Sequence, residues 1–359
     1  MNLKTLRSNI DQIDRELLLL LTRRAKLTIQ IGALKKKKGG AIFDPTRERE
    51  IYEKVTRLNR GPLSQETVRA IYREVISGAR ALEKRLKIAY QGPALSYANL
   101  AGRKVFGSQV DYCDVMTIGD VFTEVERLRA DYGVVPIENS TEGTVGYTLD
   151  RFLDTDLTIC SEILLPIDHC LIGRAKQMGR VKRIYFHPQA LAQCRSWLEE
   201  NLVHLNPRNY VEVLSTSMAA AMASHHADSV AIAHEDAARQ YGLRILARSI
   251  GESHRNVTRF LVIGKNGSPQ TGRDKTSLMF SIKDRIGALH DILLPFKKSG
   301  INLTKIESRP SRKRPWEYYF FVDLKGHKEE KKAKRSIAAI ERHCAFFKIL
   351  GSYPAGNGT

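Results

Sequence analysis

Residues 133–145 read GVVPIENSTEGTV, a short apolar run that stops at a cluster of polar, turn-forming residues. A run of that length bounded by such a cluster fits a buried strand. Open α/β sheets bind ligands beyond the ends of their strands, so Glu138, Asn139, Ser140 and Thr141 mark a candidate site. The neighbouring text repeats the pattern. KIAYQG (87–92), RIYFHPQALAQCRSWL (183–198), YVEVLSTSMAAAMA (210–223) and SVAIAHEDAARQYGL (229–243) alternate short apolar runs with helical stretches. That alternation predicts an α/β fold. Ser215 and Thr216 stand before a helix, where free N–H groups suit a carboxylate. NVTRFLVIG (256–264) puts Thr258, Arg259 and Phe260 at the entrance to another strand.

Outward on the C-terminal side, GKNGSPQTGRDK (264–275) reads as a linker. Beyond it come a strand (276–282), a helix (287–299), strands at 301–308 and 316–324, a helix (329–343) and a last strand (346–351). The order βαββαβ is the ferredoxin-like arrangement of an α+β module. On the N-terminal side, residues 1–86 read as helix throughout. The chain is therefore expected to be multidomain: 1–86 all-α, 87–270 α/β and 271–359 α+β.

The 359 residues suit two or three domains. The formal net charge of +19 raises nucleic acid as a partner, but its distribution argues against that. Residues 1–86 carry a net +10, 87–270 a net −1 and 271–359 a net +10. The basic runs at 35–38, 312–314 and 328–335 read as solvated faces, with no recognisable nucleic-acid-binding fold around them. No apolar run approaches the roughly 18 residues of a membrane span. MNLKTLRSNIDQID is charged throughout, unlike a signal peptide. Five scattered cysteines form no CxxC pair, so neither a disulfide framework nor a zinc site is expected. The adjacent His225 and His226 diverge on a helix, and HEDAA (234–238) lacks the second histidine of HExxH. A cytoplasmic protein without metal or cofactor is the expectation.

The N-terminal helix carries Leu3, Leu6, Ile10, Ile13, Leu17, Leu20, Leu27, Ile31 and Leu34, a heptad seam on the order of 50 Å long. Arg24 interrupts it, at a cost unless paired. Lys35 lies about 20° from Arg24 round the helix, whereas Arg7 lies about 100° away. Arg7 would reach the same pocket more easily from a second copy of the helix. Asp44, Arg47 and Glu48 line one side of the next helix, and a third carries Arg73, Ala79 and Glu83 near its end. Cations and a few acids in a helical bundle suit a small dianion.

Three blocks of residues resemble known families. TLRSNIDQIDRELLLLLTRRAKLTIQIGALK, DPTRERE and REVISGARALE resemble the all-helical chorismate mutase domain. The resemblance implies an intertwined homodimer, with the pairing of dimers into tetramers left open. It implies that Arg7 (from the partner), Arg24 and Arg47 bind the carboxylates of chorismate. Lys35 then donates to the ether oxygen, Asp44 and Glu48 hold the ring hydroxyl, and Ala79 lines the pocket. PIENSTEG, HPQALAQC, STSMAA, YGLRILARSIGE and NVTRF resemble prephenate dehydratase, which implies two α/β lobes like those of periplasmic binding proteins. It implies Thr258 as the acid for the departing hydroxyl, with Glu138, Asn139, Ser140, Ser215, Thr216, Arg259 and Phe260 around prephenate. GALHDIL and ESRP resemble an ACT domain. They imply an L-phenylalanine site at Gly287, Ala288, Leu289, His290, Glu307, Ser308, Arg309 and Pro310.

Three positions depart from the family patterns. Glu83 stands where the mutases often carry glutamine; a carboxyl donates to the ether oxygen only when protonated, so mutase activity is expected to fall as pH rises. In GPALSYANLAG (92–102), Leu95 replaces a glycine and Asn99 a polar residue of the dehydratases. The expected function is conversion of chorismate through prephenate to phenylpyruvate under phenylalanine inhibition. The alternatives are a dehydratase for prephenate or arogenate with an impaired mutase domain, or a nucleic-acid-binding protein.

Overall fold

The protein is seen in a computed structural model that describes residues 2–38, 40–253, 255–283, 285–311 and 317–356. The basic run at 312–314 lies outside them. The described chain begins with helices α1 (Leu3–Lys38), α2 (Pro45–Leu58) and α3 (Gln65–Glu83). There follow β1 (Lys87–Gln91), α4 (Tyr97–Phe106), β2 (Asp111–Val115), α5 (Ile118–Glu126), β3 (Tyr132–Asn139), β4 (Gly143–Thr144), α6 (Gly146–Arg151) and β5 (Thr158–Pro166). A second run contains β6 (Cys170–Gly173), β7 (Arg183–Phe186), α7 (Pro188–Ala192), α8 (Arg195–Asn201), β8 (Tyr210–Glu212), α9 (Thr216–Ser224), β9 (Ser229–Ala233), α10 (Glu235–Tyr241), β10 (Arg244–Ala247) and β11 (Val257–Gly264). The last comprises β12 (Asp274–Ile282), α11 (Ala288–Lys298), β13 (Leu303–Pro310), β14 (Tyr318–Lys325), α12 (Lys331–Glu341) and β15 (Cys344–Pro354).

The chain divides into two compact units, Met1–Ile88 with Arg103–Asp111, and Ala89–Gly102 with Tyr112–Thr359. In the first unit the half-buried face of α1 is Arg24, Ala25, Thr28, Gly32 and Lys35. Gly32 makes the approach to α3 possible, since a Cβ there would lie 2.7 Å from Glu83 Cγ. The leucine seam is not buried within the chain: Leu3, Ile10, Ile13, Leu17, Leu20 and Leu27 are each more than half exposed. Both following helices are capped by side chains. Asp44 accepts from Arg47 N at the start of α2, and Ser64 accepts from Thr67 N at the start of α3.

The second unit holds the three sheets. One runs β2-β1-β3-β11-β5, with β4 paired to β3; the next runs β10-β6-β9-β7-β8; the last runs β13-β14-β12-β15. The βαββαβ order is present as expected. The stretch 264–275 is more firmly packed than a linker. Ser268 Oγ donates to Cys160 O (2.5 Å), and His327 Nε2 lies 3.1 Å from Ser268 O. The core of the first sheet is continuous with the last sheet: Val135, Phe152, Leu261 and Ile263 pack with Met279, Phe321 and Tyr353. This shared core is why residues 112–270 and 271–359 fall in one compact unit.

Candidate functional site

β11 passes between β3 and β5, antiparallel to both. Its register sets Thr258 opposite Asn139 and Arg259 opposite Glu138. Successive strand residues point to opposite faces, so the two pairs are divided between the two sides of the sheet.

On the first side, Asn139 Nδ2 donates to Thr258 Oγ1 (2.8 Å) and to Asn256 Oδ1 (2.7 Å). Asn139 Oδ1 accepts from Thr141 N, Thr141 Oγ1 and Glu142 N, which orients the amide. Asn256 Nδ2 donates to Gln193 Oε1 (2.9 Å), and Gln193 Nε2 donates to Glu142 Oε1 (3.1 Å). Gln193 Oε1 also faces His169 Nε2 at 3.0 Å. Because Gln193 Oε1 only accepts, the network assigns the proton of His169 to Nε2. His169 Nδ1 then accepts from Tyr97 Oη (3.1 Å). Burial lowers the His169 pKa and pushes the Tyr97 pKa well up, so both are neutral. The line runs from the first sheet, at Thr258, to the edge of the second, at His169. Among the described residues nothing accepts the Thr258 hydroxyl hydrogen, which is left to donate. Asn256, Gln193, His169 and Tyr97 were not singled out from the sequence, although NVTRF, HPQALAQC and GPALSYANLAG contain three of them.

Other expected residues take supporting places. Ser140 Oγ donates to Arg255 O and accepts from Val257 N, pinning the loop that enters β11. Ser215 caps α9, accepting from Met218 N, and Thr216 is the first residue of that helix. Ser217 donates to Ala94 O, which brings the α9 N-terminus to the loop holding Leu95. Leu95 has φ +65°, the left-handed region that favours glycine. Asn99 accepts from Leu95 N and stabilises that turn.

On the other side of the sheet the geometry departs from expectation. Arg259 is 8% exposed and engaged by Glu162, Asp323 and Tyr353. Glu138 is taken by Lys305 Nζ at 2.9 Å. Neither is placed to meet a substrate held at Thr258, because strand alternation turns both away from it. Phe260, past a bulge, is 3% exposed and offers a ligand almost no surface.

In the C-terminal sheet, Gly287, Ala288, Leu289 and His290 line a cavity of about 320 Å³ with Arg285 and Phe320. Gly287 sits at φ +75°, in the left-handed region that favours glycine. The second expected motif is split by its strand. Lys305, Glu307 and Arg309 are half-buried while Ile306, Ser308 and Pro310 are exposed. Glu307 accepts from Thr144 Oγ1 (2.9 Å), and Arg309 grips Asp150 through two nitrogens. These contacts commit Glu307 and Arg309 to β4 and α6 instead of to the cavity.

In the helical unit, Lys35 Nζ donates to Ala41 O (3.2 Å), and Arg47 pairs with Glu50 (2.7 Å). Glu48 is buried beside Arg80, whose Nη1 lies 3.2 Å from Glu48 Oε1 without hydrogen-bond alignment. Burial raises the Glu48 pKa to about 7, with Arg80 and Lys35 working against the rise and Asp44 for it. Lys35, Asp44 and Glu48 thus share one neighbourhood. Glu83 packs over Gly32, one turn before Lys35. Arg24 and Ala79 lie on the packed faces of α1 and α3, while Arg7 is exposed far along α1.

Among family models, a type II chorismate mutase matches residues 6–84, prephenate dehydratase 88–268 and an ACT domain 276–342. A bifunctional chorismate mutase/prephenate dehydratase of Aquifex aeolicus is 49% identical over 98% of both chains. One from Stutzerimonas stutzeri is 41% identical over 98% of this chain and 97% of its own. The chain belongs to the bifunctional chorismate mutase/prephenate dehydratase family. Its mutase domain is the helical one, and its dehydratase domain carries the Thr258 network. A prephenate dehydratase of Arthrobacter aurescens, solved with L-Phe, is 33% identical with a TM-score of 0.68, covering 75% of this chain and 90% of that one. GqqA, described as a quorum-quenching acylase, has the same TM-score at 28% identity, covering 75% of this chain and 98% of its own. Overall shape at this level therefore does not by itself name the reaction. Among the described residues no helix is long and apolar enough to cross a membrane, and no group of three or more His, Cys, Asp or Glu is arranged to hold a metal ion.

Proposed function

We propose that the dehydratase domain uses Thr258 as the hydrogen-bond acid for the hydroxyl that leaves prephenate. The observation that carries this is the double donation from Asn139 Nδ2. Because Thr258 Oγ1 accepts from Asn139, its own hydrogen is free to point at a substrate oxygen. Loss of carbon dioxide and hydroxide then gives phenylpyruvate, with aromatisation supplying the driving force. A neutral threonine is a weak acid, so its contribution is a hydrogen bond to the developing charge in a preorganised network. Asn139 orients it, and the α9 N-terminus behind Ser215 and Thr216 faces a carboxylate. The test is Thr258→Ala, assayed separately on chorismate and prephenate. Dehydratase turnover should fall about 100-fold or more while mutase turnover stays within about twofold; equal loss of both contradicts the assignment.

In the mutase domain a pericyclic rearrangement needs no nucleophile, only a held conformer and charge beside the breaking ether bond. Lys35 serves the ether oxygen with Glu83, Asp44 and Glu48 hold the ring hydroxyl, and Arg24 and Arg47 take carboxylates along the wall that includes Ala79. Arg7 comes from a second copy. What supports the second copy is the exposed seam of α1, which a homodimer would cover. The chain then works as three modules, 1–86, 87–270 and 271–359, in the cytoplasm. L-phenylalanine binds the cavity beside Gly287–His290, favouring a less active dehydratase. Calorimetry without phenylalanine binding would remove that part of the reading.

A further inference from the structure

The face of β11 turned away from Thr258 holds a buried charged cluster whose donors and acceptors are matched. Arg259 Nε donates to Glu162 Oε2 (2.7 Å), Nη1 to Asp323 Oδ2 (2.5 Å) and Nη2 to Tyr353 Oη (2.9 Å). Ser277 has one hydroxyl hydrogen, and it goes to Asp323 Oδ1 (2.5 Å). The 2.6 Å contact between Ser277 and Tyr353 therefore has the phenol as donor. Glu162 also receives Lys275 Nζ at 2.8 and 2.9 Å and Gly356 N at 2.6 Å. Burial works against the Arg259 cation, but its neighbours outweigh that and its pKa stays well above the usual value. Burial likewise keeps Tyr353 a neutral phenol. Asp323 and Tyr353 belong to β14 and β15, the sheet whose other elements line the Gly287 cavity. A second tie runs parallel to the first, from Glu138 on β3 to Lys305 on β13. A guanidinium presents its donors in a rigid planar fork, so this cluster allows β11 little latitude against the C-terminal sheet.

We infer that Arg259 is a positioning residue for the dehydratase reaction, clamping β11 to Asp323 and Tyr353 so that the adjacent Thr258 hydroxyl is held in line with the substrate. It acts through the strand and touches no reacting atom. Any rearrangement of the C-terminal sheet is then felt one residue away from the acid, and a misplacement of about 1 Å is enough to cost on the order of 100-fold in rate. The inference rests on the assignment of Thr258 proposed above.

The experiment uses the full-length chain carrying Asp323→Asn, Tyr353→Phe or Arg259→Lys, with Thr258→Ala alongside. Mutase and dehydratase kinetics are measured on each, with urea midpoints. Expected is a fall in dehydratase kcat of about tenfold or more in Asp323→Asn, with KM for prephenate within about twofold and mutase kcat unchanged. Tyr353→Phe removes a single oxygen, so it keeps the fold and should show a smaller fall in the same direction. Arg259→Lys, which keeps the charge and loses the fork, should also lower kcat at constant KM. A dehydratase kcat within twofold of the parent in both Asp323→Asn and Tyr353→Phe overturns the inference. So does a rise in KM at constant kcat in Arg259→Lys, which would mark Arg259 as a substrate ligand. If Thr258→Ala alone leaves turnover intact, the fault lies in the Thr258 assignment, and the inference falls with it.

Discussion

The helical unit and the sheet-built unit treat apolar surface and charge in opposite ways. Along α1, Leu3, Ile10, Leu17 and Leu20 stand more than half exposed, and the cations Arg7 on α1 and Arg47 on α2 are exposed too. Around β11, even a guanidinium is 8% exposed and has a partner on each of its three nitrogens. The dehydratase network closes within one chain. On α1, by contrast, most of the apolar seam stays more than half exposed among the described residues. A long helix with an unburied heptad seam is costly in water, and a second copy of the same seam is its natural complement. Polar groups at strand ends find their partners across a sheet of the same chain, whereas a long helix presents more apolar surface than its neighbours cover.

The comparison breaks most severely at the seam. Leu20→Asp should dissociate the dimer and abolish mutase turnover, because a symmetric interface loses the leucine twice, roughly 3–6 kcal/mol. Sedimentation velocity combined with both assays checks it; a dimeric variant with full mutase activity would show that the seam is not the interface. Next in size is Arg259→Met, which strands Glu162 and Asp323 without their shared cation. Removing one member of a buried ion cluster costs about 3–5 kcal/mol, read as a fall in the denaturation midpoint of the sheet-built unit.

Glu48 provides a smaller, pH-dependent contrast. Its pKa is about 7 in the folded chain against an ordinary 4.5. The folded state therefore binds the proton more tightly, and stability is fully present below about 4.5 and lost as pH rises through 7. A shift of that size corresponds to about 3 kcal/mol. Unfolding of the helical unit followed by urea from pH 4.5 to 8 should show this loss, and Glu48→Gln should remove most of the slope. An unchanged slope in that variant would place the titrating group elsewhere. The smallest effect belongs to Leu95→Gly. Relief of the left-handed backbone gains about 1 kcal/mol, while the lost side chain gives up contacts with the cluster around Ala219 and Ala220. The net change in urea midpoint should correspond to about 1 kcal/mol or less; a loss above about 2 kcal/mol would show that side-chain packing dominates at this position.

Much of this was legible in the residues. The three-part alternation of helix, α/β and βαββαβ is written in hydrophobic periodicity, which is local. The cap at Ser215 was readable for the same reason. Gly287, Ala288, Leu289 and His290 line one cavity together because consecutive residues at a helix start cannot be far apart. The motifs TRF, PIEN and ESRP were harder. Each reads as one functional block, yet each lies on a strand, and the period of two sends its members to opposite faces. Thr258 and Asn139 go one way, Arg259 and Glu138 the other; Glu307 and Arg309 part from Ser308 and Pro310. Alternation was visible in the sequence and would have separated them. Which face met another sheet was not visible. His169 carried no signal beyond its identity, because its partners lie 24 and 72 positions away.

Residue order alone sets the elements, the Ser215 cap, the heptad seam of α1 and the families to which the three segments belong. These follow from interactions within a few residues, which any chain with this text would make. Only the tertiary structure decided that residues 264–275 are packed, that Arg259 is spent on Glu162, Asp323 and Tyr353, and that Asn139 leaves the Thr258 hydrogen free. Those outcomes depend on pairs far apart in the chain. A buried polar group takes whichever partner the packing of its sheet brings within about 3 Å, because leaving it unpaired costs more than almost any local preference.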